Sequence, residues 1–228
     1  MPITNFILDL LFPRLCVHCG ADIASGAACA ACASKIVRYD TFFCGKCRAR
    51  VPGTQKICHR DFPYLLGAAG DYGDPVVKDM LHALKFEHVK DAAEPLGKLV
   101  ADFILKIPVA WNEFAIVPIP LSKKRLRERG YNQAELIASV VSSKTGIPLR
   151  TDVLMRAKHT KEQSKVKGRA ERMQNVDGVF ALNSSNTLPL HIALLDDVTT
   201  SGATLLAAAE VLKAAGVKKI IALTVARA

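Results

Sequence analysis

The sequence predicts an α/β protein: a mainly parallel, doubly wound sheet preceded by a small metal-binding module. Three observations carry this. From residue 65 onward, short apolar runs alternate with helical patterns, which is how strands and crossover helices of a parallel sheet read. Ile192-Ala-Leu-Leu195 is apolar at four successive positions, the mark of a strand buried on both faces. All seven cysteines fall between Cys16 and Cys58, three pairs of them spaced Cys-x-x-Cys. At 228 residues the chain suits one main domain with a small accessory, divided here as residues 1–62 and 63–228.

The N-terminal stretch to Arg14 contains the apolar run Phe6–Phe12. Asp9 interrupts it, no basic region precedes it and Pro13 ends it, so it reads as a short amphipathic helix and not as a secretory signal. No apolar run approaches the ~20 residues of a membrane span. A cytoplasmic location is the expectation.

The cysteines read as Cys16-Val-His-Cys19, Cys29-Ala-Ala-Cys32, Cys44-Gly-Lys-Cys47 and a single Cys58. A two-residue gap lets both thiolates of a knuckle reach one tetrahedral ion, and a second knuckle completes the site. Cys16, Cys19, Cys29 and Cys32 would form an all-thiolate zinc site. Cys44, Cys47 and Cys58 supply three further thiolates. The fourth ligand there is His59, Asp61, His18 or none; Cys58-His-Arg-Asp61 keeps the knuckle spacing with a carboxylate in fourth place. A cross-braced pairing of the knuckles is compatible with the same spacing. An odd cysteine count in a reducing compartment argues against disulfides. With little apolar content of its own, the module should fold on structural Zn²⁺, so chelation should unfold residues 16–62 and spare the rest.

Beyond the linker Asp61–Tyr64, Leu65–Tyr72 reads as a strand, and Asp74-Pro75 as the start of a helix over Val76–Phe86. A second helix covers about Ala92–Leu105. Phe114–Pro120 is a short strand stopped by prolines, Asn132–Thr145 a helix ending at Gly146, and Val153–Met155 a brief strand. Residues 156–178 are polar, basic and unassigned. Lys219–Ala226 is the last strand.

The strand from Ile192 ends in Asp196-Asp197, then Val198-Thr-Thr-Ser-Gly-Ala-Thr204 leads into an alanine-rich helix. Open backbone N–H groups and the helix dipole make such a turn an anion site. Gly202 lets the backbone come close to the anion. Paired carboxylates accept hydrogen bonds from vicinal hydroxyls. A ribose 5-phosphate satisfies both halves. The alternative is an ordinary capped strand–turn–helix with exposed aspartates.

The formal charge of +10 is concentrated. Residues 121–172 hold 14 Lys/Arg against 5 Asp/Glu, 14 − 5 = +9. Lys123, Lys124, Arg125, Arg127 and Arg129 form one cluster, and Lys158, Arg169 and Arg172 belong to a second basic stretch. Both are candidates to meet pyrophosphate or a nucleic-acid backbone. Each lysine alone could equally be a solvated surface charge.

The acid pair and hydroxyl-rich loop resemble the phosphoribosyl pyrophosphate signature of type I phosphoribosyltransferases. Pro118-Ile-Pro120 followed by Arg127-Glu-Arg-Gly-Tyr-Asn-Gln-Ala134 extends the resemblance to the competence protein F (ComF) family, which joins a zinc ribbon to a phosphoribosyltransferase-type domain. Leu84-Lys85-Phe86, Thr160-x-x-Gln163, Arg172-x-x-Asn175 through Phe180 and Ala226-Arg227 fit as well. The resemblance implies that Asp196 and Asp197 hold the ribose hydroxyls with Mg²⁺, while Thr199, Thr200, Ser201, Gly202, Ala203 and Thr204 wrap the phosphate. It also implies that Lys158–Arg172 is a flap over the site, and that the protein is linked to natural transformation or DNA utilisation. Two features depart from the family. Asp61 stands where a further cysteine is common, and extra lysines lie between Gln163 and Arg169. Purine-salvage members of the superfamily carry an aspartate at the position of Thr200. Threonine cannot act as a base at neutral pH, which moves this chain away from purine salvage.

No catalytic residue is assigned. Three readings remain: a phosphoribosyltransferase of unknown acceptor, a single-stranded DNA-binding factor that retains the pocket and works with DNA-uptake proteins, and a non-catalytic sensor of the ligand. Aromatic residues near the basic segment are few (Tyr131, Phe180), which weakens any case for base readout.

Overall fold

A computed structural model describes residues 14–53, 58–156, 178–183 and 187–228. Its frame is one six-stranded sheet in the order β2-β1-β3-β8-β7-β4. Strands β3 (Leu65–Asp71), β4 (Phe114–Pro118), β7 (His191–Thr199) and β8 (Lys219–Arg227) are parallel to one another. The short strands β1 (Phe42–Cys44) and β2 (Arg50–Val51) come from the cysteine-rich segment. They extend the sheet with antiparallel pairing, Phe42 opposite Gly67 and Phe43 opposite Leu66. A separate hairpin pairs β5 (Leu154–Arg156) with β6 (Phe180–Leu182).

Both faces of the parallel strands are covered, as their unbroken apolar sequence requires. On β7, Ala193 and Leu195 enter one core with helices α2 (Pro75–Phe86), α3 (Ala93–Lys106) and α5 (Gln133–Thr145). Ile192 and Leu194 enter the other, with α6 (Ala203–Ala214), Leu154 and Phe180. Two glycines set the spacing. A Cβ on Gly97 of α3 would lie 2.6 Å from Val140 of α5, and one on Gly67 would lie 2.7 Å from the Phe103 ring.

Local signals account for the helix boundaries. The Asp74 carboxylate accepts from the N–H groups of Val76 (2.9 Å) and Val77 (3.2 Å), with Pro75 opening the helix. Asn132 caps α5 and Gly146 ends it at φ +74°. The charged run Lys123–Arg129, which has no apolar periodicity, forms helix α4; Ser122 caps it and Gly130 stops it. The cause is capping, since α4 contributes no residue to either core.

The cysteine-rich segment is also more firmly joined to the sheet than its composition implied. Phe42 stacks edge-on to Phe103, and Phe43 is fully buried. Its one short helix, α1, is Ala30–Ala33. The N-terminal run before Arg14, the proposed flap 158–172 and the Thr160–Gln163 motif lie outside the described residues.

Candidate functional site

Two ligand clusters are built in the cysteine-rich segment. Cys16, Cys19, Cys29 and Cys32 have all four sulfurs within 4.8 Å of one another, with Cys19 Sγ 3.7 Å from Cys29 Sγ. Tetrahedral zinc with ~2.3 Å Zn–S bonds separates its sulfurs by ~3.8 Å, so the quartet fits that ion. Tight turns create the knuckles: Gly20 sits at φ +72° and donates to the Cys16 carbonyl. Burial opposes ionisation of Cys16, but the N–H groups of Cys29, Cys19 and His18 outweigh it and hold the thiol down at about 6.

In the second cluster Cys44, Cys47 and Cys58 are joined by His59, again within 4.8 Å. His59 Nδ1 is 3.5 Å from Cys44 Sγ, and Cys47 Sγ is 3.5 Å from Cys58 Sγ. Of the fourth-ligand alternatives His59, Asp61, His18 or none, His59 is the one whose ring lies with the three sulfurs, and Asp61, the carboxylate that keeps the knuckle spacing, is outside the group. His59 directly follows Cys58 and its long side chain turns back into the knuckle, whereas Asp61 is exposed and borders a different hollow, with Arg60 and Lys213. His18 is engaged elsewhere, 2.8 Å from Asp79.

The acid pair lies at the carboxyl end of β7, where open α/β sheets collect their ligands. Successive strand residues point to opposite sides, and the two acids share the field of Lys85 while each has a further cation of its own. Asp197 forms a 2.9 Å ion pair with Lys85 near the end of α2, both side chains largely buried. Arg129 of α4 also feels Asp197. Asp196 accepts from the Asp197 N–H at 2.9 Å and is near Arg156 of β5. Burial, then repulsion by Asp197, pushes the Asp196 carboxyl up to about 7 against the pull of Lys85 and Arg156.

The following turn is preorganised. Thr199 is buried; Thr200 is exposed; Gly202 takes φ +79° as the N-cap of α6 and has no side chain to cap the helix. The Ser201 hydroxyl accepts from Ala203 N–H at 3.3 Å. A Cβ on Gly202 would lie 2.9 Å from the hydroxyl of Tyr64, which donates to the Gly202 carbonyl at 3.4 Å. Tyr64 is 1% exposed, and burial pushes its phenol upward. The same ring packs edge-on to Phe62, and both rings fill the space where Gly45, inside the Cys44–Cys47 knuckle, lacks a Cβ. The second metal-ligand cluster and the turn are thus separated by one aromatic layer.

Of the basic candidates, Arg125 and Arg129 are half-buried, Arg129 within reach of Asp197, while Lys123, Lys124 and Arg127 are exposed and Lys124 lies 3.7 Å from Glu128. Lys158, Arg169 and Arg172 lie outside the described residues. Arg129 donates to Gln133 Oε1 at 2.8 Å. Gln133 is 1% exposed, and its Nε2 has no acceptor among the described residues. Sequence reasoning assigned no role to Lys85, Tyr64, Arg156 or Gln133. Lys85 and Gln133 stood in motifs of the resemblance, which was the one signal available for them.

A zinc-ribbon module laid against the edge of a mainly parallel α/β sheet of the phosphoribosyltransferase type is the class that this fold and these ligand clusters define. Residues 7–60 match the family model described as a double zinc ribbon domain. The chain is 31% identical to Competence protein F of Haemophilus influenzae over 94% of this chain and 90% of that protein. It is 30% identical to Competence protein ComFC of Bacillus subtilis over 78% and 74%, and 27% identical to DNA utilization protein YhgH of Escherichia coli over 89% and 92%. The chain belongs to the competence protein F family. No helix among the described residues is long and apolar enough to cross a membrane.

Proposed function

We propose that the chain binds phosphoribosyl pyrophosphate with Mg²⁺ at the carboxyl end of β7 and acts in the uptake or utilisation of DNA. The observation that carries the reading is the sequence of parts from Asp196 to Ala203: two carboxylates, a turn opened by Gly202 at φ +79°, and a helix whose N-cap residue is that glycine. The relatives' names, competence and DNA utilization, support the cellular role.

In this reading Asp196 and Asp197 hold the ribose hydroxyls, and the turn through Gly202 at the start of α6 receives the 5-phosphate. Arg129 and the open Nε2 of Gln133 meet the pyrophosphate oxygens. Mg²⁺ bound beside the acids would neutralise charge on the departing pyrophosphate. Transfer breaks the bond from the anomeric carbon to pyrophosphate, which keeps the electron pair, and forms a bond from an acceptor to that carbon. The chain's part is positioning and charge stabilisation, because Thr200 offers no base. Lys85 holds Asp197 in place before the ligand arrives.

Titration calorimetry with Mg²⁺ tests the reading: Asp197→Ala should abolish phosphoribosyl pyrophosphate binding in a protein that still unfolds cooperatively. Unchanged affinity would refute it. Pyrophosphate release from the labelled ligand, scored against candidate acceptors, separates transfer from binding. A single-stranded DNA-binding role is the second reading. It is favoured by Lys123, Lys124 and Arg127, which are exposed on one short helix. It requires affinity that falls steeply with salt.

A further inference from the structure

Two of the cysteine knuckles close in the same way but end on different residues. In the first, Gly20 follows Cys19 at φ +72° and donates to the Cys16 carbonyl at 2.9 Å. In the third, Arg48 follows Cys47 at φ +64° and donates to the Cys44 carbonyl, also at 2.9 Å. Glycine adopts this left-handed backbone freely, and residues with side chains rarely do. Among the described residues, Arg48 and His88 are the only non-glycines that take it. The knuckle turn would be served better by a glycine, so what keeps an arginine there is the reach of its side chain.

That side chain crosses to a distant part of the sequence. Arg48 Nη1 donates to the backbone oxygen of Ala228 at 2.7 Å, and Arg227 Nη1 donates back to the Arg48 carbonyl at 3.4 Å. Arg227 lies over Phe43, the residue before Cys44, with its guanidinium carbon 4.0 Å from the ring centroid. Ala228 in turn donates its N–H to the Thr199 carbonyl at 3.0 Å. Thr199 is the last residue of β7 and leads into the turn. At the other end of the turn, Gly202 meets the hydroxyl of Tyr64, whose ring fills the space beside Gly45. The single knuckle Cys44–Cys47 therefore holds the turn at both ends, through Arg48 and Ala228 at Thr199 and through Tyr64 at Gly202.

We infer that Arg48 is a positioning residue for the turn from Thr199 to Gly202, fixing its first residue by way of Ala228 and making ligand affinity depend on the Cys44–Cys47 knuckle. This role rests on the ribose-phosphate reading of the turn and deepens it, because it places one determinant of phosphate affinity inside the cysteine-rich segment.

The test replaces Arg48 by glycine in the full chain. Arg48→Gly suits the left-handed backbone and deletes the tie, so knuckle and turn should respond differently. Zinc content should equal that of the wild-type chain and unfolding should stay cooperative. Calorimetric affinity for phosphoribosyl pyrophosphate with Mg²⁺ should fall about five- to a hundredfold. Without ligand, amide hydrogen exchange should quicken at Ala228 and across residues 199–204. Arg48→Lys, which keeps a donor on a long stem, should recover part of both. The control is Arg38→Ala, which removes another tie of the cysteine-rich segment to the main domain, the 3.3 Å ion pair with Asp102 of α3. It should leave affinity and exchange as they are. Unchanged exchange in Arg48→Gly, or equal losses in Arg38→Ala, overturns the assignment. Loss of zinc from Arg48→Gly overturns it as well, since the arginine would then serve the knuckle itself. If the wild-type chain binds no phosphoribosyl pyrophosphate, the ribose-phosphate reading fails, and the exchange measurement alone decides whether Arg48 holds the turn.

Discussion

Between about pH 4, the ordinary carboxylate range, and pH 7, folded chain holds a proton on Asp196 that unfolded chain has released. Stability from this group therefore falls as the pH rises through that window, and the loss is complete above about 7. Asp196 is half-buried, so Asp196→Asn, which removes its charge, should raise stability at pH 8 by about 1 kcal/mol once solvent screening is allowed for. The gain should shrink toward pH 5; denaturant melts at the two pH values would measure it. Ligand binding has the opposite preference, because the doubly ionised pair is the form that accepts hydroxyls and Mg²⁺. Affinity for phosphoribosyl pyrophosphate should climb up to about tenfold per unit below pH 7 and flatten above it, a slope that calorimetry should find missing in Asp196→Asn. On the proposed reading, a half-buried carboxylate that costs stability is kept for what it binds, the usual trade at a functional site.

At the scale of elements, the turn before α6 depends on Gly202. Gly202→Ala would force a side chain into φ +79° and bring its Cβ to 2.9 Å from the Tyr64 hydroxyl. The expected cost is about 1–3 kcal/mol, read from thermal unfolding, together with loss of phosphate binding. Tyr64→Phe removes the clashing oxygen, so the double variant should recover part of the stability. Recovery of nothing would mean that backbone strain alone sets the cost. The zinc knuckles make a second prediction of this kind. Metal analysis should find two zinc ions per chain. His59→Ala should lose or weaken one of them, and Asp61→Ala should keep both, because the imidazole completes the second quartet. The spacing Cys58-x-x-Asp61 pointed to the carboxylate, but spacing does not show which side chain turns inward. That depends on the path of the loop, which brings Cys58 and His59 to the small space bordered by Cys44, Tyr64 and Leu65.

Taking the molecule as a whole, the cysteine-rich segment contributes strands β1 and β2 to the main sheet and shares its core. Chelation should accordingly do more than unfold residues 16–62. It should strip the edge from β3, loosen Tyr64 beneath the Gly202 turn, and lower both the melting temperature and, on the proposed reading, the affinity for phosphoribosyl pyrophosphate. A chelated protein whose ligand affinity is untouched would show that the ribbon and the pocket are independent. The sequence by itself determined the elements whose signals are local: the doubly buried strand at Ile192, the Asp74-Pro75 helix start, the Gly202 turn, and the thiol pairs. Each follows from residues within a few positions of one another. It also carried the family motifs that led to the acid pair. Only the tertiary structure decided which distant groups meet there. Lys85 reaches Asp197 and Arg156 approaches Asp196 because helix α2 and strand β5 end at the same edge of the sheet. His59 displaces Asp61 through the path of a loop, and Phe86 is left exposed because α4 presents Arg129 to it and covers it no further. Contacts between residues far apart in sequence depend on sheet order and helix packing, and no local pattern of residues encodes those.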